Sequence, residues 1–225
     1  VIELRDVKKV FNQGRGNALW AVRGVTLDLE PRQVTVFTGP SGSGKTTLLS
    51  MIGALSRPTS GRISLDGTLL SNLPERFMTQ VRRRTFGFVF QRFNLIRGLT
   101  VLENVMLPAY PLAPDYGDLR RRARALLAQF GMDAKADDKV EWLSGGEAQR
   151  AAICRALINA PLILIADEPT ANLDSARSRE LIGLLGELQD LGKTVLVASH
   201  DPLVFESARV SRVVELRDGL LAEDA

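Results

Sequence analysis

Histidine and cysteine are nearly absent from this chain of 225 residues, which holds one of each. Cys154 alone cannot close a disulfide within the chain. Together with His200 it still falls short of the roughly four His or Cys ligands that a structural zinc site needs. The expectation is a metal-poor, cytosolic protein, in which any serine-histidine-acid hydrolase would have to run its general-base steps through His200. Charge of one sign is also scarce: 29 Lys+Arg against 26 Asp+Glu leave +3, too small an excess to argue for nucleic acid. The groups Arg82-Arg83-Arg84 and Arg120 to Arg124 read as solvated helix faces. No apolar run approaches the ~20 residues that cross a bilayer, since Ala156 to Ala166 is interrupted by Asn159 and Pro161. Behind Val1, the early Glu3, Arg5 and Asp6 break up any signal-peptide core, so a protein that is not secreted, soluble or peripheral to a membrane, is expected.

What is present is ordinary globular composition, 45% hydrophobic and 24% charged, at a length that buries roughly 70% of the unfolded surface. Short β-rich stretches come first, at Ile2 to Val7, Val25 to Leu29 and Val34 to Thr38, and read as an antiparallel lead-in. A helix is predicted from Lys45 to about Leu55, then short strands at Arg62 to Leu65 and Phe86 to Phe90. From Phe93 to about Ala160 the periodicity is helical, in Val101 to Met106, Leu119 to Phe130 and Gly145 to Leu157. Strands resume at Leu162 to Ala166 and Thr194 to Ala198, separated by a helix over Ser178 to Leu191, a βαβ unit in a buried parallel sheet. The fold class is α/β. One domain over 1–225 is expected, with 1–92 and 158–225 forming the core with its β lead-in and 93–157 a helical lobe.

Gly39-Pro40-Ser41-Gly42-Ser43-Gly44-Lys45-Thr46 matches Gly, four residues, Gly-Lys and Ser or Thr, between an apolar strand and a helix. Phosphates need many backbone donors converging on them. Glycines let the loop wrap closely, and a helix start supplies unpaired N–H groups. Lys45 is then placed to neutralise terminal phosphates and Thr46 to put a hydroxyl on Mg²⁺. The strand Leu162 to Ala166 delivers Asp167 and Glu168 at its carboxyl end, where open α/β sheets bind ligands. Asp167 suits a cation, and Glu168 suits a general base acting on water.

Leu143-Ser144-Gly145-Gly146-Glu147 opens another helix as a capping box, with Ser144 at the N-cap and Glu147 three residues on. Two glycines in that first turn cost up to about 1 kcal/mol each against alanine, which offsets the cap's roughly 1 kcal/mol. They make sense where something approaches the backbone closely, so this helix start reads as a second phosphate-binding surface.

With these motifs in order, the sequence resembles the ATP-binding cassette ATPases over nearly its whole length. The phosphate loop is followed by Gln91, the signature Leu143 to Glu147, the acidic pair Asp167-Glu168, the loop Ala171-Asn172-Leu173-Asp174 and His200. Phe11 stands where an adenine-stacking aromatic, more often tyrosine, is found. The segments Phe86 to Gln91, Phe93-Asn94-Leu95 and Leu99 to Val105 look most like the lipoprotein-release and macrolide-export branch. Ala148, where glutamine is usual, and Trp142 depart from the pattern.

The resemblance implies a P-loop NTPase core with a mixed or parallel sheet, and ATP and Mg²⁺ as cofactors. It implies a head-to-tail homodimer in which each ATP lies between one subunit's phosphate loop and the other's Ser144, Gly145 and Gly146. Phe11, Gly39 to Thr46, Thr47, Gln91 and Asp174 would serve the nucleotide, while Thr46, Gln91 and Asp167 would serve the metal. Lys45, Glu168 and His200 would carry catalysis, with His200 on the γ-phosphate, Gln91 reporting it and Asp174 communicating across the dimer. A separate integral membrane permease or transducer would be the partner, placing the chain on the cytoplasmic face of the inner membrane. Transport and signalling without transport stay open as outputs. A soluble cassette acting on DNA or ribosomes usually carries a coiled coil or a second cassette, and no nucleic-acid partner is expected here. Cys154, on the apolar stretch Ala151 to Cys154, reads as core packing, and Arg150 as structural.

Overall fold

The computed structural model describes residues 1–171 and 173–222. Two sheets are stacked with helices. A four-stranded antiparallel sheet has the order β2-β1-β4-β5, from β1 (Ile2–Phe11), β2 (Leu19–Leu29), β4 (Ser60–Leu65) and β5 (Thr68–Leu69). A six-stranded sheet has the order β10-β9-β3-β8-β7-β6, from β3 (Val34–Thr38), β6 (Phe86–Val89), β7 (Ile163–Asp167), β8 (Thr194–Ala198), β9 (Arg212–Arg217) and β10 (Leu220–Leu221). It is parallel from β9 to β6, and β10 closes one edge antiparallel to β9.

The parallel strands are apolar on both faces because both are covered. Side chains alternate between two cores. Phe37, Ile163, Ile165, Leu196 and Ala198 pack with α1 (Lys45–Ile52) and the antiparallel sheet, while Val34, Val36, Leu164, Ala166, Val195 and Val197 pack with the helices of the other face. Those helices are α3 (Val101–Met106), α4 (Tyr116–Gln129), α5 (Gly145–Leu157) and α6 (Ser175–Asp190). Capping boxes start α3, between Thr100 and Glu103, and α5, between Ser144 and Glu147. Cys154 is fully buried in α5 and sits 3.7 Å from the Leu126 carbonyl of α4.

Several elements differ from the sequence expectations. Val34 to Thr38 is not part of the antiparallel lead-in: β3 lies inside the parallel sheet between β8 and β9, and the lead-in is completed by β4 and β5. The helix α2 (Glu75–Thr85) was not anticipated, because Met78 is its one fully buried residue and it has little apolar periodicity to read. Its arginines are not all solvated. Arg82 is half-buried and donates to the Ala54 carbonyl at 2.6 Å, which ties α2 to the end of α1. The hairpin β9-β10 and the short helix α7 (Pro202–Phe205) also went unread, and β9 becomes a strand through its pairing with β3.

Candidate nucleotide-binding site

Strand β3 runs into loop 39–44, and two glycines let that loop press on its neighbours. A Cβ on Gly39 (φ 132°) would lie 2.0 Å from the Leu216 carbonyl oxygen, and one on Gly44 (φ 103°) 2.2 Å from that of Ala21. Gly44 is also the N-cap of α1, and no side chain caps this helix, so its first-turn N–H groups keep their capacity for an anion. Lys45 is only 6% exposed, and its Nζ donates to the carbonyls of Gly39 at 2.8 Å and Pro40 at 3.0 Å. A buried ammonium held by carbonyls alone, beside a buried Ser43 hydroxyl with no partner, is a site short of negative charge.

Thr46 lies one residue further along α1, and its hydroxyl donates to Asp167 Oδ1 at 2.8 Å, across from the end of β7. Burial raises the Asp167 carboxyl above its ordinary range, opposed by the Thr46 hydrogen bond and the Lys45 charge and reinforced by Glu168. These two adjacent oxygens suit a hard cation. Among the described residues no group of three or more His, Cys, Asp or Glu could hold a metal, so Mg²⁺ here would need phosphate oxygens and water as well.

Glu168 adopts a left-handed backbone (φ 45°), fixed by its N–H donating to the Ala198 carbonyl at 2.9 Å. Its carboxylate is 14% exposed, with both oxygens 3.0 Å from His200 Nδ1. With a proton on Nδ1, His200 donates to Glu168, while its side chain stays largely exposed. Phe11, Leu19, Trp20, Ala21, Pro40–Thr47, Gln91, Glu168 and His200 line one cleft of about 450 Å³. Gly39 and Asp167 do not line it: Gly39 lines a neighbouring cavity with Thr38 and Pro40, and Asp167 is linked to the cleft by its hydrogen bond with Thr46.

The remaining site candidates lie elsewhere. Ser144, Gly145, Gly146 and Asp174 do not line this cleft. Ser144 Oγ accepts from the Glu147 N–H at 3.4 Å and Glu147 accepts from the Ser144 N–H at 2.8 Å, a contact that lowers the Glu147 pKa. A Cβ on Gly145 would meet nothing within 4 Å, so no contact inside the chain requires glycine there. Asp174 caps α6, accepting from the Arg177 N–H at 2.9 Å. Asn172, in the loop before it, lies outside the described residues.

The helix α5 reaches both halves of the site. Gln149 donates to the Pro169 carbonyl at 2.8 Å, just past Glu168. Arg155, 9% exposed and with its pKa lowered by burial, donates to the carbonyls of Phe93 and Asn94, two left-handed residues (φ 55° and 50°) shortly after Gln91. Arg150 pairs with Glu180 of α6 at 3.5 Å. Trp20 also lines the cleft and was not read from the sequence, where the strand was expected to begin only at Val25, whereas β2 starts at Leu19.

A sequence profile of the family described as ABC transporter matches residues 22–171. The chain belongs to the ABC transporter family. It is an ATP-binding cassette, the ATPase component of that family. It is 40% identical over all of its length to the macrolide export ATP-binding/permease protein MacB of Hyphomonas neptunium, covering 34% of that protein. Against an uncharacterized ABC transporter ATP-binding protein of Thermotoga maritima it is 40% identical over 97% of its length, covering 92% of that relative. The cassette thus spans about a third of the MacB relatives it matches. Its fold is similar to the dimeric structure of the bacterial ABC transporter cassette MJ0796, with TM-score 0.90, 39% identity and coverage of 99% and 97% of the two chains. A post-hydrolysis state of MJ0796 bound to ADP and Pi matches with TM-score 0.90 and 38% identity, covering 99% of this chain and 97% of that one. Among the described residues no helix is long and apolar enough to cross a membrane.

Proposed function

We propose that this cassette hydrolyses MgATP in a head-to-tail homodimer and that the opening and closing of the dimer drives a separate membrane protein. One observation carries the reading: the phosphate-binding cleft contains nothing from residues 93–157, while the second helix start is exposed at Ser144 and at an open Gly145, with Gly146 buried beneath them. A second copy supplies what each cleft lacks, as the dimeric form of MJ0796 supports. In this reading Lys45 exchanges its loop carbonyls for phosphate oxygens, and Phe11 stacks on the base. Thr46, Asp167 and Gln91 would hold Mg²⁺, which screens phosphate charge when bound. Glu168 takes a proton from the attacking water. With a proton on each ring nitrogen, His200 would donate from Nδ1 to the Glu168 carboxylate and from Nε2 to the γ-phosphate. Ser144, Gly145 and Gly146 of the partner subunit close on the same phosphate, and Asp174 lies at the contact. Residues 1–225 act as one cassette in which 93–157 forms the moving lobe.

The membrane partner is an integral permease or transducer. A groove of about 360 Å³ lined by Arg82, Arg83, Phe86, Phe88, Phe90, Pro108 and Arg155 lies between β6 and the turn 107–112, and suits a cytoplasmic segment of that protein. The names of the MacB relatives support an export-type role; lipoprotein extraction is the other output in this reading, which puts the cassette at the cytoplasmic face of the inner membrane.

Replacing Glu168 with Gln tests the catalytic reading. ATP binding is expected to persist while turnover falls on the order of 10²- to 10⁴-fold, and size-exclusion chromatography with MgATP should show a dimer. Undiminished turnover would remove Glu168 from the mechanism.

A further inference from the structure

We infer that Gly219, in the turn between β9 and β10, is a positioning residue for the phosphate loop: its N–H holds the Ser43 carbonyl and so aims the Gly44 N–H into the phosphate cleft. The inference rests on the nucleotide reading of that loop. Arg217 pairs with Leu220, so Asp218 and Gly219 form a two-residue turn, and both are left-handed (φ 48° and 82°). Asp-Gly suits this turn type, which leaves the glycine N–H and C=O outside the hairpin's own ladder. Both are used elsewhere. The Gly219 N–H donates to the Ser43 carbonyl at 3.1 Å, and the Gly219 carbonyl accepts from the Arg23 N–H at 2.8 Å. The turn thereby bridges the phosphate loop to β2. The same hairpin also touches the start of the loop, where the Leu216 carbonyl oxygen of β9 fills the place of a Cβ on Gly39.

The consequence for a ligand is geometric. In a trans peptide the C=O and N–H point in opposite directions, and the Ser43 C=O shares its peptide unit with the Gly44 N–H. A donor that fixes the Ser43 oxygen on one side therefore fixes the Gly44 hydrogen on the other. Gly219 does not line the nucleotide cleft, whereas Gly44 does, and the Gly44 N–H has no hydrogen-bond partner among the described residues. Ser43 is 2% exposed, so water does not readily replace the turn as the donor to its carbonyl.

In Gly219→Ala the left-handed backbone is strained and the new Cβ would stand 3.0 Å from the Ala21 carbonyl oxygen, so the turn shifts and its bond to Ser43 weakens. Calorimetry should then show magnesium tripolyphosphate and MgADP weakened equally, on the order of tenfold, the worth of one hydrogen bond to a charged group. In the ¹⁵N-labelled parent chain the Gly44 amide proton should move downfield when tripolyphosphate binds, and much less in the variant, a response that loss of stability alone would not change. Asp218→Asn keeps the turn and should bind as the parent does. Leu188→Ala, in the core beneath α6, should lower the thermal midpoint and leave both affinities unchanged. Should Gly219→Ala fail to fold, a ligated chain with an ester in place of the 218–219 amide removes the N–H alone, and the same losses are expected of it. Unchanged tripolyphosphate affinity in a folded chain altered at Gly219, an equal loss in Asp218→Asn or Leu188→Ala, or a Gly44 shift as large as the parent's would overturn the inference. If neither tripolyphosphate nor ADP bound the parent chain, the phosphate-loop reading itself would fall.

Discussion

At the scale of single residues, the two rarest side chains have opposite surroundings. His200 is largely exposed and faces Glu168, whereas Cys154 is enclosed between α5 and α4. Burial pushes the Cys154 thiol up to about 12 from an ordinary value of 9.0, since a thiolate cannot be solvated there. About 10³-fold less thiolate is then present at a given pH, so iodoacetamide at pH 8 should label the native chain very slowly and the urea-unfolded chain readily. Rapid native labelling would show that the helix pair opens. The same shift sets a pH dependence. Below about pH 9 the thiol is neutral in both states and contributes no slope. Between about 9 and 12 the unfolded chain releases the proton and the folded one does not, so stability should fall across that window in urea titrations.

At the scale of the element, α5 is where local energetics and the proposed function pull in opposite directions. Its capping box stabilises the start, and its two leading glycines weaken it. Because a Cβ on Gly145 meets nothing, Gly145→Ala should leave the thermal midpoint unchanged or raise it, by up to about 1 kcal/mol of stability, while ATP turnover falls. Retained turnover would mean that no phosphate approaches that backbone. The bounds of α5 were legible because a capping box precedes an alanine-rich apolar run. Those of α2 were not, because it is polar on most faces and held by Arg82 reaching to Ala54 and by a single buried methionine. Likewise Val34 to Thr38 reads as a strand from its own residues, but its neighbours β8 and β9 lie some 160 and 175 positions downstream, and local pattern carries no record of them.

At the scale of the whole molecule, the phosphate loop and the helix start at Ser144, both proposed to bind phosphate, are separate features of one chain. A head-to-tail dimer makes a specific prediction for mixed variants. Lys45→Ala and Gly145→Trp should each be inactive alone, but mixed in equal amounts they should recover up to about a quarter of the parent's ATP turnover. Half the dimers would then be mixed, and each of those holds one site with both surfaces intact. No recovery at saturating protein would point to each chain working alone.

The order of motifs, the α/β alternation and most candidate residues were already determined by the amino-acid sequence, because phosphate loops, capping boxes and buried strands are written in short spacings. Tertiary structure alone decided which of these residues meet. It put Thr46 on Asp167 and His200 on Glu168, set the Ala21 carbonyl against Gly44, brought Trp20 to the cleft, and left Ser144 to Gly146 outside it. Those relations join residues tens to more than a hundred positions apart, and they are fixed by sheet register and packing, to which no local pattern in the sequence has access.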